Sequence, residues 1–493
     1  MIYIAYTLVA IYAATLTYIL LFCLLEFHLL LQYKKAYWQG ILPEPATATE
    51  EQLPFVTVQL PIYNEKYVIA RLIDRIAEMD YPKDRYEIHI LDDSTDDTLD
   101  IVREKVAEYQ AKGYQIAQIT RDIRTGFKAG ALRDGTKYAK GDFLAIFDAD
   151  FMPRRDFLKA TIPYFENPEV GVVQTRWEHI NEDYSLITRL QALQLNVHFT
   201  VEQQGRKAGN YMLQFNGTAG VWRRATIDDA GGWEADTLTE DLDLSIRAQL
   251  KGWKIMYLEK FDSPAELPID MNGLKSQQFR WMKGGAETAK KMLPTVWRSD
   301  LPLGKKIHAT GHLMASTIFV FVFMTGVVSV PVLFAMNLLH INMAYFSYFL
   351  ISLLSIIAVY YVGNVQAALK QESYFKKLFK FVVLFPVFLS LSMGLSLHNT
   401  VAIIQGYLGK KSAFIRTPKF AITGKREKLN QRMYRNYQLD WTTIFEGILA
   451  IYFLLAVFAG WYYQNTSFIL FHASLALGYG SIFFYTVRHL KLK

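Results

Sequence analysis

The chain has 493 residues, of which 52% are hydrophobic and 15% aromatic, and it carries a formal net charge of +7. That length is too great for one ordinary hydrophobic core, and the apolar share is high for a soluble enzyme. The basic residues cluster beside apolar runs without any base-reading motif, which excludes nucleic acid as a partner and favours a lipid bilayer. The single cysteine, Cys23, excludes a disulfide framework within the chain and agrees with a catalytic part in a reducing compartment.

Residues 1–33 form the first apolar run, which is long enough to predict a membrane-spanning helix. A basic stretch does not precede it and a small-residue cleavage site does not follow it, so we expect a retained anchor rather than a signal peptide. Lys34 and Lys35 come directly after the run, which predicts an N-terminus outside and a chain that continues in the cytoplasm. Residues 34–53, rich in Pro, Ala, Thr and Glu from residue 40 onward, predict a linker.

Short β-rich runs alternate with helical stretches through residues 54–295, which predicts a catalytic domain of the α/β class. We expect right-handed crossovers, a mostly parallel sheet, and a ligand beyond the carboxyl ends of its strands. The expected strands are residues 55–60, 86–91, 115–120, 143–147 and 171–175, and the expected helices are 69–79, 99–111, 130–139 and a long one over 183–210.

Two acidic motifs follow predicted strands. Asp92 and Asp93 end the second strand, where carboxylates can bind a nucleobase and ribose, and Asp93 is the favoured ligand of the two; the alternative is a helix N-cap. Asp148 and Asp150 follow the apolar run 143–147, so two carboxylates spaced i, i+2 leave a buried strand together. Such a pair can hold one Mg²⁺ or Mn²⁺ ion, which neutralises a diphosphate and makes it a leaving group.

Two further motifs supply a cation and a base. Lys128 opens a predicted helix, where the ammonium and the helix N-terminus together favour an anion. Glu240 and Asp241 precede a helical stretch over 242–250, and we expect both to face the substrate. Because a sugar hydroxyl is a poor nucleophile, Asp241 is the candidate general base. The alternative is that Thr239 caps the helix and the two acids only complement its first turn.

A cationic and aromatic motif follows on a stretch expected at the membrane surface. Gln277 and Arg280 lie one helical turn apart, and Arg280 can bind a departing diphosphate. Trp281 offers a flat face for a sugar ring, although interfacial tryptophan is also an ordinary membrane anchor. Thr417 and Lys419 lie in a basic loop and could reach a bound nucleotide; the alternative is that this loop only binds anionic lipid.

Residues 296–493 contain five further apolar runs, at 310–336, 344–366, 379–406, 441–462 and 467–487. The loop 407–438 carries nine Lys or Arg residues against one acid, so it should stay in the cytoplasm. If all five runs crossed, that loop would lie outside. We therefore expect 379–406, which contains Pro386 and Gly394, to be an interfacial or re-entrant segment. The chain would then cross the bilayer five times, with its C-terminus inside.

With these motifs in this order, the chain resembles the membrane-embedded processive family 2 glycosyltransferases, which include cellulose, mannan, hyaluronan and poly-N-acetylglucosamine synthases. Residues 91–96, 128–132, 147–151 and 215–223 are most similar to the plant cellulose-synthase-like mannan and glucan synthases. The resemblance implies a GT-A fold, that is, a Rossmann-like cytoplasmic domain inserted between transmembrane helices. It also implies that residues 414–419 form a gating loop and that the spans form a secretion channel. Bacterial cellulose synthase has more spans and a cyclic-dinucleotide-binding domain, neither of which is expected here.

The resemblance also assigns roles to the motif residues. It places Asp93 near the nucleotide, Asp148 and Asp150 at the diphosphate and the metal, and Asp241 at the acceptor hydroxyl as base. It places Arg280 and Trp281 at the diphosphate and the acceptor.

We therefore expect inverting, metal-dependent transfer of a hexose from UDP-glucose or GDP-mannose to a growing β-linked polysaccharide, with a β-1,4 linkage and secretion through the membrane. The partners would be the nucleotide sugar, the polysaccharide and the lipid bilayer of the cytoplasmic (inner) membrane. Two alternatives stay open: transfer of a single sugar to a membrane lipid, and a transporter whose cytoplasmic domain senses nucleotide. The scarcity of acids in the spans counts against the transporter.

Overall fold

The computed structural model describes residues 1–40, 53–367, 372–412, 417–422 and 439–491. Within residues 53–270, apolar runs of alternating or continuous burial form a single seven-stranded sheet. Its strands are β1 (Val56–Ile62), β2 (Tyr86–Asp92), β3 (Ile116–Thr120), β4 (Phe143–Ile146), β5 (Val170–His179), β6 (Gly220–Arg223) and β7 (Lys254–Ala265).

The strand order is β3-β2-β1-β4-β6-β5-β7, and only β6 runs antiparallel to its two neighbours. The prediction of a mostly parallel α/β sheet is confirmed, and each of the five expected strands is present. β6 and β7 were not expected. β6 has only four residues, and charged side chains such as Lys260 and Asp262 interrupt the apolar pattern of β7.

Helices cover both faces of the sheet, as a parallel sheet with buried strands requires. Those of the catalytic domain are α2 (Ile69–Ala77), α3 (Thr98–Ala111), α4 (Phe127–Tyr138), α5 (Phe157–Thr161), α6 (Leu186–Val197), α7 (Gln203–Ala208), α8 (Arg224–Asp229), α9 (Glu240–Leu250) and α10 (Met271–Arg298).

The long helix expected over 183–210 is interrupted. Ser185 starts α6 with a capping box to Thr188, and a π-helical turn over His198–Glu202 then joins α6 to α7. The sequence has ordinary helical periodicity here. It therefore does not reveal the π-helical turn, in which the backbone hydrogen bonds join residues i and i+5.

The remaining helices lie before residue 53 and after residue 300. They are α1 (Ile2–Trp38), α11 (Leu303–Leu313), α12 (Ile318–Leu339), α13 (Leu350–Tyr361), α14 (Tyr374–Gly394), α15 (Ser396–Tyr407), α16 (Trp441–Tyr462) and α17 (Ile469–Lys491). Within the part of the chain that the structure describes, six segments are long and apolar enough to span a bilayer. α1 continues through residues 34–38, which the sequence analysis placed in the linker. Residues 41–52 of that linker lie outside the described residues.

The run 379–406, expected as one interfacial segment, consists of two helices that meet at Leu395. Length and composition make α14 a sixth candidate span, where the sequence analysis expects five crossings. α14 contacts both α17 and α6 of the catalytic domain. Phe381, Phe385 and Phe388 lie in one buried cluster with Leu190 and Leu193 of α6. Part of α14 therefore packs against the catalytic domain.

Candidate active site at the ends of the parallel strands

A cavity of about 220 Å³ opens at the carboxyl ends of β1, β2 and β4, the edge at which parallel sheets bind ligands. Eleven of the twelve site residues expected from the sequence line it: Asp93, Lys128, Asp148, Asp150, Glu240, Asp241, Gln277, Arg280, Trp281, Thr417 and Lys419. Segments separated by more than 300 positions in the sequence thus converge on one space.

Asp92 is the exception, since it does not line the cavity. Its side chain is buried, with Oδ1 accepting from the backbone N–H of Ser94 at 2.9 Å and Oδ2 accepting from Nε2 of Gln118 at 2.8 Å. These bonds stabilise the turn after β2. The structure therefore does not bring Asp92 to the cavity with the other eleven residues, and its role in substrate binding stays a prediction.

Asp93 lies in the cavity and is held by arginine. Arg121 donates from Nε to Asp93 Oδ1 at 2.9 Å and from Nη2 to Oδ2, which is a bidentate pair. Arg121 also donates to the backbone oxygen of Thr125 at 3.0 Å. Beside this pair, the guanidinium carbon of Arg124 lies 3.4 Å from the ring centroid of Tyr63. This end of the cavity thus offers a planar aromatic and cationic surface next to a fixed carboxylate, which suits a nucleobase.

Asp148 is paired with the lysine expected to bind an anion. Lys128 Nζ forms an ion pair with Asp148 Oδ1 and donates to the backbone oxygen of Gly217 at 2.8 Å. Burial lowers the pKa of Lys128, but Asp148 and Glu240 raise it further, so the balance is upward. Lys128 therefore stays charged at the centre of the cavity.

Asp150 is paired with the basic loop. Lys419 Nζ lies 2.7 Å from Asp150 Oδ2 and donates to the backbone oxygen of Glu266 at 2.5 Å. The next residue, Phe420, donates its backbone N–H to Glu266 Oε1 at 2.8 Å. Thr417 Oγ1 accepts from Arg280 Nη2 at 2.7 Å. Residues 417–422 are thus docked over the cavity, while residues 413–416 and 423–438 of the expected gating loop 407–438 lie outside the described residues.

The residues present fit a divalent cation. Asp148 and Asp150 contribute two carboxylates to one cavity, which is the oxygen donor set that Mg²⁺ and Mn²⁺ prefer. Glu266 adds a third carboxylate, whose buried Oε2 has no hydrogen-bond partner among the residues described. Burial raises the pKa of Glu266. A cation at these oxygens would satisfy an atom that the protein leaves unsatisfied.

A second acidic cluster lies in the part of the chain that the structure describes, and a lysine sits at its centre. Carboxylate oxygens of Glu234, Asp236 and Asp243 lie within 4.8 Å of one another. Lys291 Nζ, however, lies 2.5 Å from Glu234, 2.9 Å from Asp236 and 3.1 Å from Asp243. The ammonium already occupies the position that an ion would take, so this cluster is an ion-pair network.

Asp241 begins α9 on the other side of the cavity. Burial, and then the neighbouring charge of Glu240, raise its pKa from 3.8 to about 7. The Leu242 backbone N–H donates to its Oδ1 at 2.8 Å and opposes this shift. A carboxylate whose pKa lies near neutrality is suited to accept a proton from a hydroxyl. Thr239 does not cap the helix with its side chain but bonds Thr288 Oγ1 at 3.0 Å.

A glycine brings the backbone close to this acid. Gly217 has a φ of +79°, and a Cβ added to it would lie 3.0 Å from Asp241 Oδ2. Any larger side chain would therefore be strained in the backbone and would crowd the carboxylate. Gly217 therefore lies between Asp241 and Lys128, whose Nζ donates to the Gly217 carbonyl oxygen.

A second cavity of about 330 Å³ adjoins the first. The second extends between α1, α6, α12 and α13. The two cavities share six lining residues: Trp177, Leu195, Asn216, Thr239, Asp241 and Trp281. The second cavity does not include the end with Tyr63. Asp241 and Trp281 therefore stand between the first cavity and a cavity that leads towards the apolar helices.

Residues 54–284 match the model of a family described as glycosyltransferase like family 2. This region, residues 54–284, is similar to the family 2 glycosyltransferases and is referred to as the glycosyltransferase domain. The chain is 43% identical over 261 residues to glucomannan 4-beta-mannosyltransferase 9 of Arabidopsis thaliana, which covers 52% of this chain and 49% of that protein. It is 42% identical over 284 residues to probable glucomannan 4-beta-mannosyltransferase 4 of Oryza sativa subsp. japonica, covering 56% and 51%. The chain spans about half the length of the curated relatives it matches.

The glycosyltransferase domain also has a similar solved structure. This is a mannosyltransferase, PcManGT from Pyrobaculum calidifontis, in complex with GDP-Man and Mn²⁺. The TM-score is 0.51 at 19% sequence identity, over 82% of this chain and all of that one. At that identity the likeness shows the fold, which is GT-A-like as expected.

Several residues of the glycosyltransferase site were missed in the sequence analysis. Arg121 and Arg124 form a basic pair directly after β3, and this position is a signal that sequence could have offered. Glu266 follows β7, a strand that was itself missed. His198 lies outside every expected motif, and Asn216 lies in the stretch 215–223, to which the sequence analysis gave no role; only the packing of distant segments brings the two to the second cavity.

Proposed function

We propose that this chain is an inverting, metal-dependent glycosyltransferase that extends a β-1,4-linked mannan-type polysaccharide from GDP-mannose. The observation that carries the proposal is the position of Asp241, a buried carboxylate with a pKa of about 7, in the same cavity as Asp148, Asp150 and Arg280. The choice of mannose is supported by the names of the relatives, which are glucomannan 4-beta-mannosyltransferases.

The transfer needs one base and a set of cations. Asp241 takes the proton of the acceptor hydroxyl as its oxygen bonds to the anomeric carbon, while the bond from that carbon to the diphosphate breaks on the opposite face. The configuration therefore inverts in one step, and the proton rests on Asp241. Lys128 and Arg280 stabilise the charge of the departing diphosphate. A divalent ion held by Asp148 and Asp150 would neutralise the same diphosphate.

The docked loop supports an ordered site. Lys419 and Thr417 connect the loop to Asp150 and Arg280, so the residues that would hold the metal and the diphosphate lie under one lid. Closing such a lid excludes water, which favours transfer to a sugar over hydrolysis of the donor.

We further propose that the glycosyltransferase domain faces the cytoplasm of a multi-pass membrane protein. Lys275 of α10 pairs with Glu446 near the start of α16 at 2.9 Å, and His489 near the end of α17 accepts from the backbone N–H of Met271 at 3.0 Å. Both ends of the α16–α17 hairpin therefore contact the catalytic domain. This supports a C-terminus on the side of the catalytic domain, and the shared cluster of α14 with α6 supports five crossings.

The test is a donor screen with the full chain in membranes of a host without such polymers. GDP-mannose with Mg²⁺ or Mn²⁺ should release GDP and yield a polymer that a β-1,4-mannanase digests. Polymer made only from UDP-glucose would overturn the donor. One sugar per lipid would replace the proposal by single transfer to a membrane lipid, and absence of transfer from every donor would refute it altogether. Asp241→Asn should abolish transfer while GDP binding persists.

A further inference from the structure

The second cavity has an unexpectedly polar wall. It lies among apolar residues such as Phe199, Phe319 and Val359, which could line a cavity between helices without any charge. Yet His198, Glu202 and Arg206 also line it. Burying ionisable groups is costly unless they are paired or bind something.

These three side chains and that of Asn216 form a hydrogen-bonded chain. His198 Nδ1 lies 3.0 Å from Glu202 Oε2, and His198 Nε2 lies 2.9 Å from Asn216 Oδ1. Arg206 Nη2 donates to the same Glu202 oxygen at 3.3 Å. Since a carboxylate oxygen and an amide oxygen only accept, both ring nitrogens of His198 donate in this arrangement, and the imidazole is in its protonated form. Burial raises the pKa of Glu202, but His198 and Arg206 lower it further, to about 2, so the carboxylate stays ionised.

The backbone at this point is specialised. His198 and Glu202 are the first and last residues of the π-helical turn between α6 and α7. Such turns are rare, and they occur frequently at functional sites. The side chains of His198 and Glu202 are 22% and 25% exposed, and because both line the second cavity, this exposure is towards it.

The hydrogen-bonded chain ends at Asn216, beside Asp241, the proposed base. Asn216 lines both cavities and precedes Gly217, at which an added Cβ would lie 3.0 Å from Asp241 Oδ2. Its backbone N–H is fixed by Gln174 Oε1 at 2.9 Å, and its side-chain oxygen lies against His198. Its amide nitrogen, Nδ2, has no hydrogen-bond partner within the described part of the chain. A spare donor is thus held at the junction of the two cavities.

We propose that His198, held by Glu202, is a positioning residue that orients the Asn216 amide towards an oxygen of the acceptor sugar. The amide would donate to a neutral, hydroxyl-rich carbohydrate and turn its attacking hydroxyl to Asp241. This inference rests on the proposed glycosyl transfer, and it assigns the second cavity to the acceptor because the cavity shares Asp241 and Trp281 but lacks the end with Tyr63.

The experiment compares Asn216→Ala, His198→Ala and Glu202→Gln with wild type in proteoliposomes supplied with GDP-mannose. Loss of one oriented hydrogen bond weakens an interaction by about threefold to tenfold. For the two alanine variants we expect polymer synthesis to fall by about that factor, products to shorten, and the ratio of GDP released to mannose incorporated to rise. The KM for GDP-mannose should stay within about twofold, because no donor contact is removed. Glu202→Gln keeps an acceptor for Nδ1 and should lie between wild type and His198→Ala.

A matched control is His308→Gln. His308 stacks on Tyr211 with 3.7 Å between ring centroids and does not line the second cavity. The His308→Gln variant should leave unchanged the product length and the ratio of GDP released to mannose incorporated. GDP binding by each variant reports whether the site is folded, and Asn216→Ser serves as a smaller change if Asn216→Ala does not bind.

The outcomes separate the two proposals. If wild type transfers mannose but the variants keep its product length and release ratio, or if KM for the donor rises in step with the loss of turnover, the positioning role is wrong while the proposed function stands. If wild type transfers no sugar from any donor, both fall.

Discussion

The pKa of Asp241 gives a prediction that can be worked out from its neighbours. Burial and the adjacent Glu240 raise it from 3.8 to about 7. One pKa unit corresponds to about 1.4 kcal/mol, so ionising this base in the folded protein costs about 4 kcal/mol more than in water. A base acts only when ionised, so activity should rise as the pH rises through about 7.

Glu240→Gln removes one of the two causes of the raised pKa of Asp241, the neighbouring charge, and leaves the other, burial. A neighbouring charge shifts a carboxyl pKa by about one unit or more, and since burial is the larger cause here, we expect the midpoint to fall by about one pH unit. The ionised fraction of Asp241 at pH 6 would then rise from about one tenth to about one half, a gain of about fivefold relative to the plateau.

The assay is the pH profile of kcat/KM for GDP release coupled to polymer formation, normalised to the plateau of each variant. Normalisation matters because Glu240 lines the cavity, so Glu240→Gln is expected to lower the plateau as well. Asp241→Asn provides the control, with no activity at any pH. A midpoint that stays in place or moves upward in Glu240→Gln would refute the electrostatic reasoning.

Two further predictions concern ion pairs. Lys275 and Glu446 have side chains 7% and 0% exposed. Glu446→Gln leaves a buried lysine unpaired and should destabilise the protein by about 3–5 kcal/mol. The double variant Lys275→Met/Glu446→Leu should recover most of the lost stability. Equal thermal unfolding midpoints for the single and the double variant in detergent would contradict this prediction. Lys419→Met removes the cation that lies 2.7 Å from Asp150 Oδ2. In a titration without nucleotide, the Lys419→Met variant should bind Mn²⁺ about tenfold more tightly than wild type, or tighter still. Lys411→Met, on the same loop, is the control and should bind as wild type does. An unchanged affinity of Lys419→Met would show that the ion binds elsewhere.

Much of the catalytic domain could be predicted because local patterns suffice for it. Short apolar runs separated by amphipathic stretches produce a parallel sheet, and polar residues directly after those runs must meet at one edge. Asp93, Asp148 and Asp150 were found in this way, whereas Asp241 was found as an acid before a helical stretch. β6 was missed because four residues carry little pattern, and its antiparallel direction depends on which neighbours it pairs with.

Adjacent residues with the same chemistry show where the sequence stops being informative. Asp92 and Asp93 look alike, but Asp92 ends β2 and binds a turn, while Asp93 lies beyond the strand and meets Arg121. Successive side chains of a strand point to opposite sides, so the difference follows from where the strand ends rather than from residue type.

The amino-acid sequence by itself determined the α/β domain, its apolar flanks and the residue types of a sugar-transfer site, because these depend on periodicity and on neighbours in the chain. Tertiary structure alone decided that Lys419 reaches Asp150, that Glu266 joins them, and that His198 lies between Glu202 and Asn216. Those contacts join segments up to 269 positions apart. Their energies depend on distance and burial in the folded chain, and neither quantity is written in the order of the residues.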